Sequence, residues 1–229
     1  MQKKKIGVLL SGCGVYDGSE IQEVVLSLLE IDKMNAEAVC IALNEEQYHT
    51  INHLSGEEMP EKRNILIESA RISRGNIHDI STVKPADLDA LVLPGGFGNA
   101  KNYTNWAFEG ALGTIHPAIK LLLVNMVNIG RPIVALCVSP IVVAKALEGS
   151  SLHPKLTIGS TNQASPYSIK DFSNGLKQTG ATTQMKTTHE IEFDANLNII
   201  SAPCYMQEVS IKTIHENIQL AFEQLKSVI

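Results

Sequence analysis

A cysteine in this chain stands where an apparent buried strand turns into a helix. Residues 133–136 are apolar, short and branched, as a strand buried on both faces requires, and residues 140–147 suit a helix. Cys137 lies at this joint, where unpaired N–H groups and the positive end of the helix dipole favour a thiolate. Ser139 is a candidate N-cap. We predict a nucleophilic thiol at Cys137; the alternative is an inert buried side chain.

Two other loops also follow apparent parallel strands, at residues 11–20 and 94–99. Loops of this kind open at the carboxyl edge of the sheet, where open α/β sheets bind their ligands. The first loop carries a carboxylate at Glu20. The second carries Gly95 and Gly96, which let backbone N–H groups approach a ligand closely. A tight turn that binds nothing is the alternative for this glycine pair.

The N–H of Val138 adds a further donor beside the cysteine. A thiol, an acid/base and an oxyanion hole are the parts needed for attack on a carbonyl, so a small carbonyl compound is the predicted substrate. Cys13 is a possible accessory thiol that could resolve a sulfenate. No cofactor is predicted, because Gly12 and Gly14 lack the third glycine of a dinucleotide fingerprint. No metal is predicted either, since no complete ligand set accompanies the histidines.

Strands alternate with helices along the whole chain. Strands are predicted at 5–10, 36–43, 88–96, 133–136 and 155–159, with a hairpin or edge pair at 189–194 and 198–202. Helices are predicted at 19–30, 63–71, 117–127, 140–147, 169–179 and 208–228. This alternation predicts an α/β fold, a three-layer sandwich of helices around a mostly parallel sheet.

Composition limits the remaining possibilities. With 229 residues, 44% of them hydrophobic, the chain is predicted to form a single domain over residues 1–229, with insertions near 44–61 and 97–113. The second insertion carries Trp106 and is interpreted as a lid or a subunit contact. A net charge of -5 argues against nucleic-acid binding. No apolar run is long enough for a membrane span. Four cysteines without a disulfide pattern indicate the cytoplasm.

Several short motifs resemble a known superfamily. Residues 17–21, 93–97 and 135–140 resemble the PfpI/ThiJ superfamily, which has the class I glutamine amidotransferase-like, flavodoxin-like fold with a cysteine nucleophile elbow. Residues 11–21, 51–57 and 63–75 are similar to its ElbB branch. That branch has been called isoprenoid-biosynthesis-like and is described as a glyoxalase.

The resemblance implies roles for particular residues. Cys137 corresponds to the elbow nucleophile and Glu20 to the carboxyl that contacts it, and a homodimer is implied. Many superfamily members have a histidine after the cysteine, where this chain has Val138. His189 and His215 have adjacent glutamates, but the first opens a predicted hairpin and the second lies on the last helix. Glutaminase and peptidase activities are therefore not expected.

These observations lead to one preferred function and two alternatives. The preferred function is a cofactor-independent glyoxalase-like lyase, in which Cys137 adds to an aldehyde as a hemithioacetal and Glu20 moves protons toward a hydroxyacid. The first alternative is a redox- or stress-responsive regulatory protein with an oxidisable elbow cysteine and little catalysis. The second is a partner-binding subunit without activity. No residue identifies the physiological substrate or supports the isoprenoid label.

Overall fold

The computed structural model describes residues 3–229, in which nine strands form two sheets. The strands are β1 (Lys5–Leu10), β2 (Glu37–Ala42), β3 (His78–Asp79), β4 (Ala90–Leu93), β5 (Ile133–Leu136), β6 (Lys155–Leu156), β7 (Thr182–Thr183), β8 (Glu192–Asp194) and β9 (Ile199–Ala202). The large sheet has the order β3-β2-β1-β4-β5-β9-β8, and β6 pairs with β7 in a small separate sheet. Within the large sheet only β8 runs antiparallel to its neighbour.

Helices cover both faces of the large sheet. They are α1 (Ile21–Lys33), α2 (Ile65–Ile72), α3 (Trp106–Glu109), α4 (Pro117–Asn128), α5 (Pro140–Leu147), α6 (Ile169–Gln178) and α7 (Ile211–Lys226). Helix α1 packs with α2 and α7, and α4 packs with α5. Right-handed crossovers place these two groups on opposite faces, because the strand order runs in opposite directions from β1 and from β4. The predicted three-layer α/β sandwich with a mostly parallel sheet is confirmed.

The predicted elements differ from the structure mainly at their ends. The strand predicted at 88–96 is limited to β4, because the chain leaves the sheet at Pro94 and Gly96 adopts a φ of 107°. The strand predicted at 155–159 is limited to β6, and that strand lies outside the main sheet. The two-residue edge strand β3 was not predicted, since it is too short to show a periodicity. The predicted pairing of β8 with β9 is confirmed.

The central strands supply the core. Every residue of β4 and β5 is buried, as expected for parallel strands covered on both faces. Trp106, in the segment interpreted as a lid or subunit contact, is buried and packs against Gly175 of α6. That indole therefore belongs to the interior of the subunit. Among the described residues, no helix is both long enough and apolar enough to cross a bilayer.

The buried face of helix α1 is not the face that carries the apolar stripe of Ile21, Val25 and Leu29. Ile21, Val25 and Leu29 lie four residues apart on one face and are 42%, 49% and 41% exposed. The face directed to the protein interior instead includes two glutamates, Glu23 and Glu30, which are both buried. Because α1 is turned about its axis in this way, the Glu23 carboxyl points to the edge of the sheet where the parallel strands end.

Candidate active site

The predicted nucleophile elbow is present at the end of β5. Cys137 has a φ of 58°, which is unusual for a residue with a side chain and marks a sharp turn held by its surroundings. Its N–H donates to the carbonyl of Ala202 on the neighbouring strand at 2.9 Å. Ser139 occupies the N-cap position of α5 but does not cap it with its side chain. Its hydroxyl instead donates to the carbonyl of Pro94 at 2.7 Å, which ties the elbow to the loop after β4.

The carboxyl group beside the thiol belongs to Glu23. Its Oε2 accepts a hydrogen bond from the N–H of Gly95 at 2.7 Å, and its Oε1 accepts one from the N–H of Tyr205 at 3.2 Å. A Cβ on residue 95 would lie 2.5 Å from the Cβ of Cys137 and 2.6 Å from Oε2 of Glu23. Gly95 therefore occupies the narrow space where the thiol and the carboxyl meet, and a side chain there would separate them.

The assignment of this role to Glu20 is wrong. Glu20 is the N-cap of α1, and its Oε2 accepts a hydrogen bond from the N–H of Glu23 at 2.7 Å. In a capping box the glutamate at the third helical position would bind the N-cap N–H in return. Here that N–H donates to the carbonyl of Gly95 at 2.8 Å. The carboxyl of Glu23 is thus released from capping and points to Cys137.

Electrostatics at this pair favour the protonated carboxyl. Burial raises the pKa of Glu23 to about 8, and the negative charge of Glu20 adds to the shift. Burial also raises the pKa of the Cys137 thiol well above its ordinary value, with the charge of Glu23 as the next contribution. Since Glu23 keeps its proton below about pH 8, that second contribution acts only at higher pH. At neutral pH the pair holds both protons, in contrast to the thiolate expected from the helix dipole.

The three predicted backbone donors have different roles. The N–H of Gly95 is engaged by Glu23 and is not free for a substrate oxygen. The N–H of Val138 points to the sulfur of Cys137 and lowers the pKa of that thiol. Between residues 3 and 229, neither Val138 nor Gly96 donates its N–H to a backbone carbonyl outside the regular elements. Gly96 lines the thiol pocket, so its N–H is the donor left for a substrate oxygen, whereas the N–H of Val138 is directed at the sulfur.

The thiol nearest to the elbow is Cys204 rather than Cys13. Leu136 of β5 pairs with Ala202 of β9, so the residues that follow these strands are neighbours. Negative charge on Cys204 contributes to the raised pKa of Cys137, and burial raises the pKa of the Cys204 thiol well above its ordinary value. The groups that shift the pKa of Cys13 are different ones. Burial raises this pKa most and the charge of Glu68 comes next, whereas neither Cys137 nor Glu23 is among the main causes. The predicted role of Cys13 as accessory thiol therefore has no support in the geometry.

A small apolar pocket, here called the thiol pocket, exposes Cys137 at its wall. Four aromatic side chains line it, Phe97, Tyr167, Phe172 and Tyr205. The space open to the centre of a water molecule is about 20 Å³, enough for a water or two. Only a reacting group of a few heavy atoms therefore fits in the thiol pocket.

No histidine lines the thiol pocket within residues 3–229. His215 binds Glu30 at 2.7 Å, and His189 lies in a separate surface depression with Glu223. The structure thus does not assemble a cysteine-histidine pair from the described residues. In the same range no cluster of three or more histidine, cysteine, aspartate or glutamate side chains is arranged to hold a metal.

Sequence reasoning missed Glu23, Cys204 and Tyr205. The last two follow β9 as Cys137 follows β5, so the rule that ligands gather at the carboxyl ends of parallel strands would have indicated them. Glu23 has a weaker signal: it is a second glutamate three residues after the N-cap, on a helix with apolar residues on either side. Its inward direction depends on the rotation of α1, which the sequence pattern did not show.

Comparison with known proteins places the chain among amidotransferase-like proteins. The human glutamine amidotransferase-like class 1 domain-containing protein 3 is 34% identical over 216 residues, which are 93% of this chain and 79% of the human protein. The rat ES1 protein homolog is 32% identical over 218 residues, or 94% of this chain and 80% of the rat protein. Both are described as mitochondrial, so the predicted cytoplasmic location gains no support from them. No family model matches the chain.

Solved structures agree with this placement. An isoprenoid biosynthesis protein with an amidotransferase-like domain from Ehrlichia chaffeensis superposes with a TM-score of 0.88 at 34% identity, over 98% of this chain and 99% of that one. Glyoxalase III from Candida albicans has the same fold, with a TM-score of 0.63 at 14% identity over 99% of this chain and 97% of that one. The predicted resemblance to the PfpI/ThiJ superfamily and the class I amidotransferase-like fold is confirmed.

Proposed function

Since the chain belongs to the glutamine amidotransferase-like class 1 family, which includes the ES1 proteins, we propose that it is a cofactor-independent glyoxalase that converts glyoxal-type dicarbonyls to hydroxyacids. The observation that carries the proposal is the Cys137 thiol at the wall of the thiol pocket with the fully buried Glu23 carboxyl next to it. A nucleophile next to a carboxyl with a pKa near the working pH suits addition to an aldehyde followed by proton transfer.

The first step joins the thiol to an aldehyde carbon. The ionised form of Glu23 takes the thiol proton as the sulfur bonds to carbon, and then gives that proton to the carbonyl oxygen. The product is a hemithioacetal on Cys137. The N–H of Gly96 stabilises the oxygen while it carries negative charge.

The second step moves hydrogen between the two carbons of the dicarbonyl. The Glu23 carboxylate removes the proton from the carbon bonded to sulfur, giving an enediolate, and returns it to the neighbouring carbon, while the hydroxyl proton on the first carbon passes to the oxygen on the second. The product is a hydroxyacyl thioester. Water then cleaves the thioester, releasing the hydroxyacid and regenerating the thiol. The net reaction is dicarbonyl plus water to hydroxyacid, so no oxidant or reductant is consumed.

The test compares two glutamates that are three residues apart. Glu23→Gln should lower glyoxal turnover by about 10²–10⁴-fold, the usual contribution of a general acid/base. Glu20→Gln keeps an oxygen that can accept the α1 N-cap hydrogen bond and should leave turnover within a few-fold of wild type. In wild type, kcat/KM should rise as the pH approaches about 8, the pKa of Glu23. Glyoxal turnover that is absent from wild type, or unchanged in Glu23→Gln, would overturn the proposal.

The position of Cys204 favours a second candidate function, a redox-responsive protein. After the Cys137 thiol gives its proton to ionised Glu23, a hydroperoxide would oxidise the resulting thiolate to a sulfenic acid and leave as an alcohol. Attack by the Cys204 thiol on the sulfenic sulfur would then form a disulfide and release water. Support comes from the pairing of Leu136 with Ala202, which brings the turns after β5 and β9 together, and from the effect of Cys204 on the pKa of Cys137.

Mild hydroperoxide treatment followed by peptide mapping tests this candidate. Wild type and Cys40→Ser should both form a Cys137–Cys204 disulfide, whereas Cys204→Ser should stop at the sulfenic acid or proceed to the sulfinic acid. Cys40 is a matched control, because it is buried in β2 and lies outside the thiol pocket. If wild-type Cys137 is oxidised to the sulfinic acid and no disulfide forms, Cys204 does not act as the resolving thiol and this candidate function fails.

A further inference from the structure

A second cavity, here called the aromatic groove, opens beside the thiol pocket. Its walls include Tyr16, His49, Phe97, Lys101, Phe108 and Tyr167, and its volume is about 620 Å³. Phe97 and Tyr167 line both cavities, and their rings meet edge to face with centroids 5.8 Å apart. The groove is therefore an open extension of the much smaller thiol pocket.

Most of the groove wall comes from the two segments predicted to be insertions, 44–61 and 97–113, and Tyr16, Pro166 and Tyr167 complete it. The ring of Tyr48 lies against that of Phe108, with centroids 4.5 Å apart, and His49 meets Phe108 edge to face at 5.8 Å. The backbone N–H of Tyr48 donates to Oδ1 of Asn102 at 2.8 Å. The amide of Asn102 in turn donates to the carbonyl of Ser11 at 2.8 Å, at the end of β1. These contacts attach both segments to the sheet edge and hold the groove open.

Lys101 supplies the charge of the groove. Its Nζ donates to the carbonyl of Tyr16 at 2.9 Å and lies 5.9 Å from the centre of the Phe97 ring. Within residues 3–229 no carboxylate oxygen lies within 4.0 Å of this ammonium group. Asp17 and Glu58 act on it only from a longer distance. Two of its three N–H groups thus remain for an acceptor brought by a ligand.

Tyr167 connects the groove with the thiol. Burial raises the pKa of Tyr167 to about 12, and negative charge at Cys137 and at Tyr16 adds to the shift. Tyr167 lines both the thiol pocket, together with Cys137, and the aromatic groove, so it lies at the boundary between the two cavities. A molecule that passes Tyr167 would have its reactive end in the thiol pocket and the rest of its body in the groove.

We propose that the aromatic groove binds the distal part of a substrate larger than glyoxal, a flat aryl group that carries an anionic substituent such as a carboxylate. The aryl group would lie among Phe97, Phe108 and Tyr167, and the anion would accept hydrogen bonds from Lys101. The small volume of the thiol pocket supports this division, because it admits only the dicarbonyl end. The identity of that reactive end rests on the proposed glyoxalase function, whereas binding in the groove does not.

The kinetic test compares phenylglyoxal with 4-carboxyphenylglyoxal. Lys101→Met should lower kcat/KM for the carboxylated compound by about 10- to 100-fold, as expected for loss of a charge-assisted hydrogen bond, and should leave phenylglyoxal and glyoxal nearly unchanged. Retained glyoxal turnover also shows that the variant is folded. Lys226→Met, at the opposite end of α7 from the sheet's carboxyl edge, removes the same charge as a matched control. An equal loss for both aryl compounds would overturn the assignment of the anion to Lys101.

A binding test separates this inference from the proposed function. Calorimetry on the Cys137→Ser variant should show that 4-formylbenzoate binds more tightly than benzaldehyde, and that Lys101→Met in the same background removes the difference. If this preference holds while wild type turns over no dicarbonyl, the groove stands and the glyoxalase function fails. If wild type turns over glyoxal but the preference is absent, the groove assignment fails and the glyoxalase function stands.

Discussion

At the scale of single residues, the site depends on which of two glutamates reaches the thiol. The carboxyl of Glu20 accepts a hydrogen bond from the N–H of Glu23 in the first turn of α1. The side chain of Glu23 is fully buried beside Cys137. A buried carboxyl without a cationic partner resists ionisation, because the charged form loses its hydration. This cost is what brings the pKa of Glu23 to about 8, where it can both donate and accept a proton near neutral pH.

The raised pKa of Glu23 predicts how stability changes with pH. The folded protein holds this proton up to about pH 8, whereas the unfolded chain releases it near pH 4.5. The stabilisation that comes from the protonated Glu23 is therefore fully present below pH 4.5, and it is lost as the pH rises through 8. Relative to Glu23→Gln, the free energy of unfolding of wild type should fall by on the order of 4 kcal/mol across that window. Urea unfolding of both proteins between pH 4.5 and 9 measures the difference; a constant difference would contradict the burial of an ionisable carboxyl.

At the scale of elements, four chain segments that end or begin at one edge of the sheet create the site. The elbow after β5, the glycine turn after β4, the turn after β9 and the first turn of α1 each contribute one group. Gly95 joins two of them, because its carbonyl accepts from the N–H of Glu20 and its N–H donates to Glu23. The helix start and the glycine turn therefore fix each other. Sequence patterns predict each segment separately but not this exchange of hydrogen bonds.

At the scale of the whole molecule, the predicted homodimer remains a proposal. The apolar stripe of Ile21, Val25 and Leu29 on α1 is the surface that the structure offers for a second copy of the chain. Light scattering at micromolar concentration should give a mass twice the 24.9 kDa of one chain. Val25→Glu places a charge in the middle of the stripe and should shift the protein toward the monomer. A wild-type mass of one chain would end the proposal.

The sequence by itself determined the class of fold and the position of the nucleophile. Buried strands and amphipathic helices have periodicities that depend on neighbouring residues, so the alternating order of elements and the elbow at Cys137 are readable locally. The tertiary structure alone decided that Glu23 faces the thiol, and it showed that Cys204 is the neighbouring thiol. Their placement depends on the rotation of α1 and on the pairing of β5 with β9, contacts between residues more than 60 positions apart in the chain.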